Sequence, residues 1–215
     1  MKTQMSHLST WINDGDLFRE KIRELDKEYG PQNWWPRILD IEDHAFEVAL
    51  GAILTQNTAW QNVEKALARL ADKKLVDPFA ILKSNIRTLE RCVHPSGYYK
   101  QKTKKLCGLS KFVVDECGGH ISELKKDKRA RDRLLSIWGV GPETADTILL
   151  YGLELPNFVI DTYTRRLLVL LTGSESWKNC SYDEAQEFCS LAIPKSVKSW
   201  QQVHALIVAW GKVQK

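Results

Sequence analysis

A helical period of apolar residues runs through nearly the whole chain and restricts it to one fold class. The clearest case lies between residues 44 and 56, where a broad apolar stripe is formed by Phe46, Ala49, Leu50, Ile53 and Leu54. Such spacing places all members on one face of a helix. No segment keeps a two-residue alternation of apolar and polar residues. The segment NFVI at 157–160 is too short to form a sheet. The pattern therefore predicts an all-α protein.

Residues that favour helix N-termini mark several of the predicted starts. Asp77 precedes Pro78, and proline is favoured at the first helical position. Ser181 with Glu184 matches a capping box. The other predicted caps are Asp16, Asp43, Thr58 and Ser84.

Composition excludes several classes of protein. Of the 215 residues, 43% are hydrophobic and 27% are charged, which is typical of a globular chain and not of a disordered one. No apolar run reaches the roughly 18 residues of a membrane span, and the N-terminus lacks the apolar core of a secretory signal. The five cysteines form no C-x-x-C pair, which argues against a disulfide framework and a zinc site. We expect a soluble, reduced, cytoplasmic protein.

Positive charge is concentrated in one part of the chain. Residues 97–133 hold eleven Lys or Arg and five Asp or Glu, while the formal net charge of the whole chain is +4. A local basic surface on an otherwise neutral protein fits a nucleic-acid partner. A solvated helical face is the alternative that charge alone leaves open.

The segment 134–152, LLSIWGVGPETADTILLYG, departs from a plain helix at Gly139-Val140-Gly141. Two glycines one residue apart permit a sharp turn and a close approach of the backbone to a partner. Pro142 then begins a new helix, where its missing N–H costs nothing. The unpaired N–H groups at that helix start form an anion site suited to a phosphate. An ordinary turn between two helices is the alternative.

This segment, followed by FVIDTYTRRL with an aspartate at a helix start, resembles the helix–hairpin–helix DNA glycosylases of the endonuclease III superfamily. Further landmarks follow in the family's order: LGAILTQNT at 50–58, VHPSGYYKQKTKKL at 93–106 and AWGK at 209–212. The resemblance covers roughly residues 34–213. It implies two helical lobes with the active site in the cleft between them. One lobe would comprise residues 43–150, and the other residues 1–42 with 151–215.

The resemblance implies an enzyme that flips a damaged base out of duplex DNA and breaks its bond to the sugar. Asp161 matches the catalytic aspartate, whose carboxylate stabilises positive charge on the sugar or activates water. By its position alone, Asp161 is a helix N-cap. Family members that also cut the strand carry a lysine where this chain has Glu143, and a carboxylate cannot form a Schiff base. A monofunctional glycosylase is therefore expected, although Lys102, Lys104 or Lys105 could supply an amine.

Two departures from the family narrow the subgroup. Endonuclease III continues past AWGK with four cysteines that hold an iron–sulfur cluster, whereas the last cysteine here is Cys189. We therefore expect no cluster and no other cofactor. The adenine-mismatch enzymes carry a catalytic glutamate where this chain has Ala52, with Glu47 one helical turn away. The cluster-free 3-methyladenine DNA glycosylase III subgroup remains.

This subgroup shares the W-W-P motif at 34–36, an aromatic residue at Trp60 and the G-K near the end of the chain. A 3-methylated adenine is electron-poor and cationic, so stacking between aromatic faces selects it. The resemblance implies that Trp34 and Trp60 sandwich the base, with Trp35 in reserve and Lys212 beside the pocket. Core positions for the three tryptophans and a surface position for Lys212 are the alternatives.

The resemblance also implies a set of contacts to DNA. Gln56 would fill the gap left by the flipped base. The predicted phosphate contacts are the N–H groups of Gly139 and Gly141, Thr144, Lys102 and Lys105. Family hairpins often hold a monovalent cation through main-chain carbonyls. The matching carbonyls belong to Leu135, Ile137 and Val140, and the ion would be sodium or potassium.

The resulting expectation is a monomeric prokaryotic enzyme that acts on double-stranded DNA containing a damaged base, most of all 3-methyladenine or another alkylated purine. Two alternatives keep the fold and change the activity. One is an endonuclease III-like glycosylase and lyase, or a glycosylase for mismatched thymine or uracil. The other is a non-catalytic helix–hairpin–helix DNA-binding protein.

Overall fold

A computed structural model describes residues 2–39 and 41–214, with the backbone alone described at residues 2–10. Its α-helices are α1 (Lys2–Tyr29), α2 (His44–Leu54), α3 (Trp60–Asp72), α4 (Pro78–Lys83), α5 (Ile86–Val93), α6 (Tyr99–Cys117), α7 (Ala130–Leu135), α8 (Pro142–Thr147), α9 (Thr162–Thr172), α10 (Ser176–Asn179), α11 (Tyr182–Ala192) and α12 (Val197–Val213). Two 3-10 turns (His94–Ser96, Ile121–Lys126) and a π-helical turn (Ile148–Gly152) complete them. The described ranges contain no β-strand, which confirms the all-α prediction.

No helix in the described ranges is long and apolar enough to cross a membrane. Met1, Asp40 and Lys215, which belong to the predicted lobes, lie outside the described residues.

The chain divides into two compact units. The first comprises Met1–Trp34 with Pro156–Lys215, and the second comprises Trp35–Leu155. The second unit thus begins at residue 35, whereas the sequence placed this boundary at residue 43. The reason is a set of hydrogen bonds that holds residues 38 and 39 to α2.

Those hydrogen bonds end on Glu47, a carboxylate inside α2 that is only 1% exposed. Its Oε1 accepts from the backbone N–H groups of Ile38, at 2.5 Å, and Leu39, at 2.9 Å. Burial raises the pKa of Glu47, but these bonds and the nearby His44 outweigh it and hold the pKa below its ordinary value. Glu47 therefore fastens the segment after Trp35 to the central helix of the second unit.

Helix α2 forms the centre of the second unit, and all but its first residue are buried. It packs against α3, α6, α8 and the π-helical turn. Gly51 makes room for a further contact, with the ring of Trp35, because a Cβ at this position would lie 2.9 Å from the Cζ2 atom of that ring.

Lys102 lies in this core with only 2% of its surface exposed. Its Nζ donates to the carbonyl oxygens of Leu54, at 2.7 Å, and Ser96, at 2.6 Å. Burial, and secondarily the charge of Lys105, lowers the pKa of Lys102 to about 8. The predicted phosphate contact of Lys102 is therefore wrong, because its ammonium is enclosed and joins the end of α2 to the 3-10 turn at His94–Ser96.

In the first unit, α1 packs on α9, α11 and α12. An aromatic cluster fills the space between α1, α10 and α11. Its rings belong to Trp11, Phe18, Trp177 and Phe188, with centroid separations from 4.8 to 6.5 Å. Helix α1 begins well before Asp16, so the predicted cap at Asp16 is wrong.

The outcome for the other predicted caps depends on how specific their sequence signal was. Asp77 accepts from Ala80 N–H at 2.8 Å, and Ser181 Oγ accepts from Glu184 N–H at 3.1 Å, so both are confirmed. Asp43 occupies the N-cap of α2 without a side-chain capping bond. The predicted caps Thr58 and Ser84 were each one residue early, because the N-cap residues are Ala59 and Asn85.

We expect Lys102→Met to lower the free energy of unfolding by about 2 kcal/mol at pH 7, because two buried carbonyls lose their donor. The difference from wild type should grow as pH rises. The folded-state pKa near 8 lies below the ordinary value of 10.5, so between these values the unfolded chain binds more protons and wild-type stability rises with pH. The added difference should reach up to about 3 kcal/mol.

Chemical denaturation at pH 7, 8.5 and 10 measures both effects. The matched control is Lys100→Met, which removes an exposed lysine from the same helix. A difference between wild type and Lys102→Met that stays constant across this pH range would contradict the interpretation.

Candidate functional site

The glycine turn between α7 and α8 has the backbone geometry that the sequence required. Gly139 has φ of +84°, a left-handed conformation that glycine adopts without cost. Gly141 is the N-cap of α8 in extended conformation, and Pro142 follows in the first turn. In the described part of the chain, the N–H groups of Gly139 and Gly141 donate no hydrogen bond. They are therefore available to an anion, as the predicted phosphate contact needs.

The three carbonyls predicted to hold a monovalent cation lie around the same turn. The Ile137 oxygen accepts from the Val140 N–H at 3.0 Å, which leaves it one lone pair. The described ranges contain no group of three or more His, Cys, Asp or Glu side chains that could hold a metal ion. The predicted sodium or potassium ion at the Leu135, Ile137 and Val140 carbonyls stays a prediction.

An ion pair across the turn braces its two arms. Arg131 in α7 binds both carboxylate oxygens of Asp146 in α8, at 2.9 and 3.1 Å, and Asp146 is fully buried. Sequence reasoning missed this pair. Its only signal was an aspartate on the apolar face of α8.

Gln56 lies on this turn, two residues beyond the end of α2. Its Nε2 donates to the Gly139 carbonyl at 3.3 Å and to Thr144 Oγ1 at 3.0 Å, while Lys105 Nζ donates to its Oε1. Four of the predicted DNA-contact residues are thus brought together. Thr144 is 7% exposed and its hydroxyl oxygen faces Gln56, so its position supports the glutamine.

The three predicted base-pocket tryptophans fall in different units. Trp35 and Trp60 belong to the second unit, where their ring centroids are 4.8 Å apart at an angle of 86°. Trp35 also lies 5.6 Å from Tyr151. Because the first two rings are perpendicular and in contact, they form a packed pair into which no base inserts. The predicted sandwich of a base by Trp34 and Trp60 stays a prediction.

Trp34 belongs to the first unit, where it lies beside Lys212. The Lys212 Nζ is 5.3 Å from the centre of the Trp34 ring, a cation–π geometry. Lys212 itself is exposed at the end of α12. The structure therefore brings together two of the predicted pocket residues.

Gly211, next to Lys212, lets two helices of the first unit approach closely. A Cβ at this position would lie 2.1 Å from Cδ1 of Tyr163, a residue in the first turn of α9. The close approach brings α12 to the helix end that Asp161 caps. The glycine of the G-K motif is thus explained by packing.

One carboxylate oxygen of Asp161 caps α9, and the other lies near His204. Its Oδ1 accepts from the Thr164 N–H at 2.7 Å and from the Thr164 hydroxyl at 2.8 Å. Its Oδ2 lies 3.7 Å from Nε2 of His204, and the side chain is 13% exposed. The position of Asp161 as a helix cap is confirmed, and the second oxygen keeps it compatible with catalysis.

His204 was not among the predicted site residues. It lies on the buried face of α12, and burial lowers its pKa below the ordinary value, against an opposing effect of the Asp161 carboxylate. Burial therefore favours the neutral form of the imidazole. Its sequence signal was weak, because a single histidine on an apolar helix face is common in protein cores.

The two glycines of the turn give a matched pair of substitutions. Gly139→Ala should lower the free energy of unfolding by about 1–2 kcal/mol, because alanine is strained at positive φ. Its Cβ would also lie 2.6 Å from two carbons of Lys105. A Cβ at Gly141 would meet nothing within 4 Å, so Gly141→Ala should change stability by less than about 0.5 kcal/mol.

Binding to a duplex should separate the two variants in the opposite way. Gly141→Ala keeps the fold but places a methyl group where the backbone would approach a phosphate, so affinity should fall roughly tenfold, the value of one charge-assisted hydrogen bond. Thermal unfolding and fluorescence anisotropy with a labelled duplex measure the two effects. Unchanged affinity in folded Gly141→Ala would exclude the turn as a phosphate contact.

Comparisons with known proteins agree with this geometry. Residues 50–195 match the model of the HhH-GPD superfamily of base excision DNA repair proteins. The chain is 41% identical over 183 residues to the "Putative DNA repair glycosylase MJ1434" of Methanocaldococcus jannaschii, covering 84% of this chain and 80% of that protein. It is 26% identical to endonuclease III of Thermotoga maritima, covering 91% and 83% of the two chains.

A solved structure is similar over nearly the whole length. It is the 3-methyladenine DNA glycosylase MagIII of H. pylori, bound to 1,N6-ethenoadenine, with a TM-score of 0.76 and 28% identity. The similarity covers 94% of this chain and 99% of that one. From the family match and the 41% identical relative, this chain belongs to the HhH-GPD superfamily of base excision DNA repair glycosylases.

Proposed function

We propose that this chain is a monofunctional DNA glycosylase that hydrolyses the N-glycosidic bond of an alkylated purine, with 3-methyladenine as the leading substrate. Membership of the family makes it an enzyme that acts on DNA. The single observation that carries the proposed chemistry is the Asp161 carboxylate, which is held by one oxygen and faces His204 with the other.

The carboxylate suits a reaction in which positive charge develops on the sugar. As the base departs, the sugar gains oxocarbenium character, and a fixed anion stabilises it. The bonds from Thr164 hold Asp161 in place before the reaction, so no reorganisation is needed. Burial favours the neutral form of the nearby His204 imidazole, which leaves the negative charge of Asp161 in place. Attack of water on the sugar then completes the hydrolysis.

The proposal of hydrolysis without strand cleavage rests on Glu143. This exposed residue of the first turn of α8 stands where bifunctional relatives carry their lysine. A lyase step needs an amine that forms a Schiff base with the sugar, and a carboxylate cannot do this. Of the three lysines of α6 that could supply an amine, Lys102 is enclosed and Lys105 is bonded to Gln56. The Nζ of the third, Lys104, lies 4.2 Å from the centre of the Trp138 ring.

Similarity to the H. pylori enzyme supports an alkylated adenine as substrate. That enzyme is a 3-methyladenine glycosylase and holds a modified adenine in its crystal structure. In this chain, the ammonium of Lys212 lies 5.3 Å from the centre of the Trp34 ring, and an aromatic face suits stacking with an electron-poor base. We propose Trp34 and Lys212 as base-binding residues.

Gln56, Gly139 and Gly141 form the proposed DNA interface of the second unit. The N–H groups of Gly139 and Gly141 bind a phosphate, and Gln56 enters the gap in the duplex. These contacts read no sequence, which suits a repair enzyme that must act at any position.

Asp161→Asn tests the chemistry without removing the helix cap, because asparagine and aspartate are equally good N-caps. We expect the variant to keep the thermal stability of wild type and to lose base release by about 10²–10⁴-fold. The assay measures free base released from duplexes carrying 3-methyladenine, uracil, thymine glycol or a T·G mismatch. Equal release by the folded variant would remove Asp161 from the mechanism.

Borohydride trapping on the same duplexes tests the absence of a lyase step. We expect wild type to release 3-methyladenine and to form no trapped adduct. Release of thymine glycol with a trapped adduct would identify an endonuclease III-like enzyme, and release of uracil or thymine alone a mismatch glycosylase. Binding to duplex without release of any base would identify a non-catalytic DNA-binding protein.

A further inference from the structure

Both donor hydrogens and one acceptor position of the Gln56 carboxamide are hydrogen-bonded within the second unit. Both hydrogens of Nε2 have an acceptor, the Gly139 carbonyl and the Thr144 hydroxyl, and Oε1 accepts from Lys105. A loop glutamine normally samples many rotamers, and ordering one of them costs conformational entropy. Here that ordering is already present in the protein without DNA.

Lys105 determines which way round the amide is held. An ammonium is a donor only and a carbonyl is an acceptor only. The ammonium of Lys105 therefore selects the amide oxygen, and the Gly139 carbonyl selects the amide nitrogen. The two constraints agree, so the flipped orientation of Gln56 would lose bonds on both sides.

The aliphatic chain of Lys105 is packed, as its ammonium is hydrogen-bonded. A Cβ added to Gly139 would lie 2.6 Å from both Cγ and Cε of Lys105, so the aliphatic chain lies directly against the glycine. The side chain is half-buried, and its Nζ is directed at Gln56. This geometry differs from that of an extended surface lysine that reaches for a phosphate.

We infer that Lys105 is a positioning residue for Gln56, which it holds in one orientation for entry into the duplex, and not a phosphate contact. The inference rests on the proposed role of Gln56 in filling the gap left by the flipped base. In this arrangement Lys105 acts on the reaction only through Gln56. Its contribution must therefore disappear when the glutamine side chain is absent.

A double-mutant cycle of Lys105→Met and Gln56→Ala tests this dependence. Methionine keeps the aliphatic packing on Gly139 and loses only the ammonium, and thermal unfolding verifies that each variant is folded. The rate of 3-methyladenine release is measured in single turnover with saturating enzyme. The salt dependence of duplex binding is measured in parallel. Lys178→Met, which removes an exposed lysine of α10, controls for the loss of one positive charge.

We expect each single variant to slow base release by about tenfold or more, which corresponds to one hydrogen bond to a charged group. In the Gln56→Ala background, Lys105→Met should then change the rate by less than about twofold, within the additivity error of such cycles. The slope of log affinity against log salt should equal that of wild type.

Other results would overturn the inference in distinguishable ways. An equal effect of Lys105→Met in both backgrounds would show that Lys105 acts independently of Gln56. A salt slope reduced by about one would identify a phosphate contact. Faster release by Lys105→Met would mean that the lysine restrains Gln56 from entering DNA. Unchanged release by Gln56→Ala, with Asp161→Asn inactive, would remove the gap-filling role of Gln56 while leaving the glycosylase proposal intact.

Discussion

The buried ammonium of Lys102 joins the parts of the second unit that must stay in register. It donates to the last residue of α2, Leu54, and to Ser96 before α6. Gln56 follows Leu54 by two residues, and Lys105 lies one helical turn beyond Lys102. The cation therefore fixes the distance between the two side chains that meet on the glycine turn. A buried charge is tolerated here because two carbonyl oxygens replace its water.

The first unit fixes the carboxylate of Asp161, the proposed catalytic residue, and leaves one of its oxygens outside the helix cap. The helix cap uses one oxygen of Asp161, and α12 approaches closely because Gly211 has no side chain. This approach places a buried imidazole, His204, beside the second oxygen. The cap and the proposed catalytic role of Asp161 are therefore compatible, since the cap uses only one of the two oxygens.

Local signals predicted local structure well where they were redundant. Asp77 with Pro78 and Ser181 with Glu184 each combine two independent preferences, and both caps formed. Single residues such as Asp16 were weaker signals: α1, which packs against α9, α11 and α12, continues through this residue. The two lysines predicted to contact phosphate show what local sequence signals do not predict. Lys102 and Lys105 have the same charge, and only their surroundings distinguish them.

The sequence by itself determined the helical class, the glycine turn and the aspartate at the start of α9. These features depend on periodicity and on backbone conformations that few residues adopt. Only the tertiary structure decided which partner each polar side chain contacts. The ammonium of Lys102 is buried, and the side chain of Lys105 lies along Gly139 and donates to Gln56. His204 lies beside Asp161. The physical reason is that hydrogen-bond partners far apart in sequence are chosen by burial and packing, which no local pattern records.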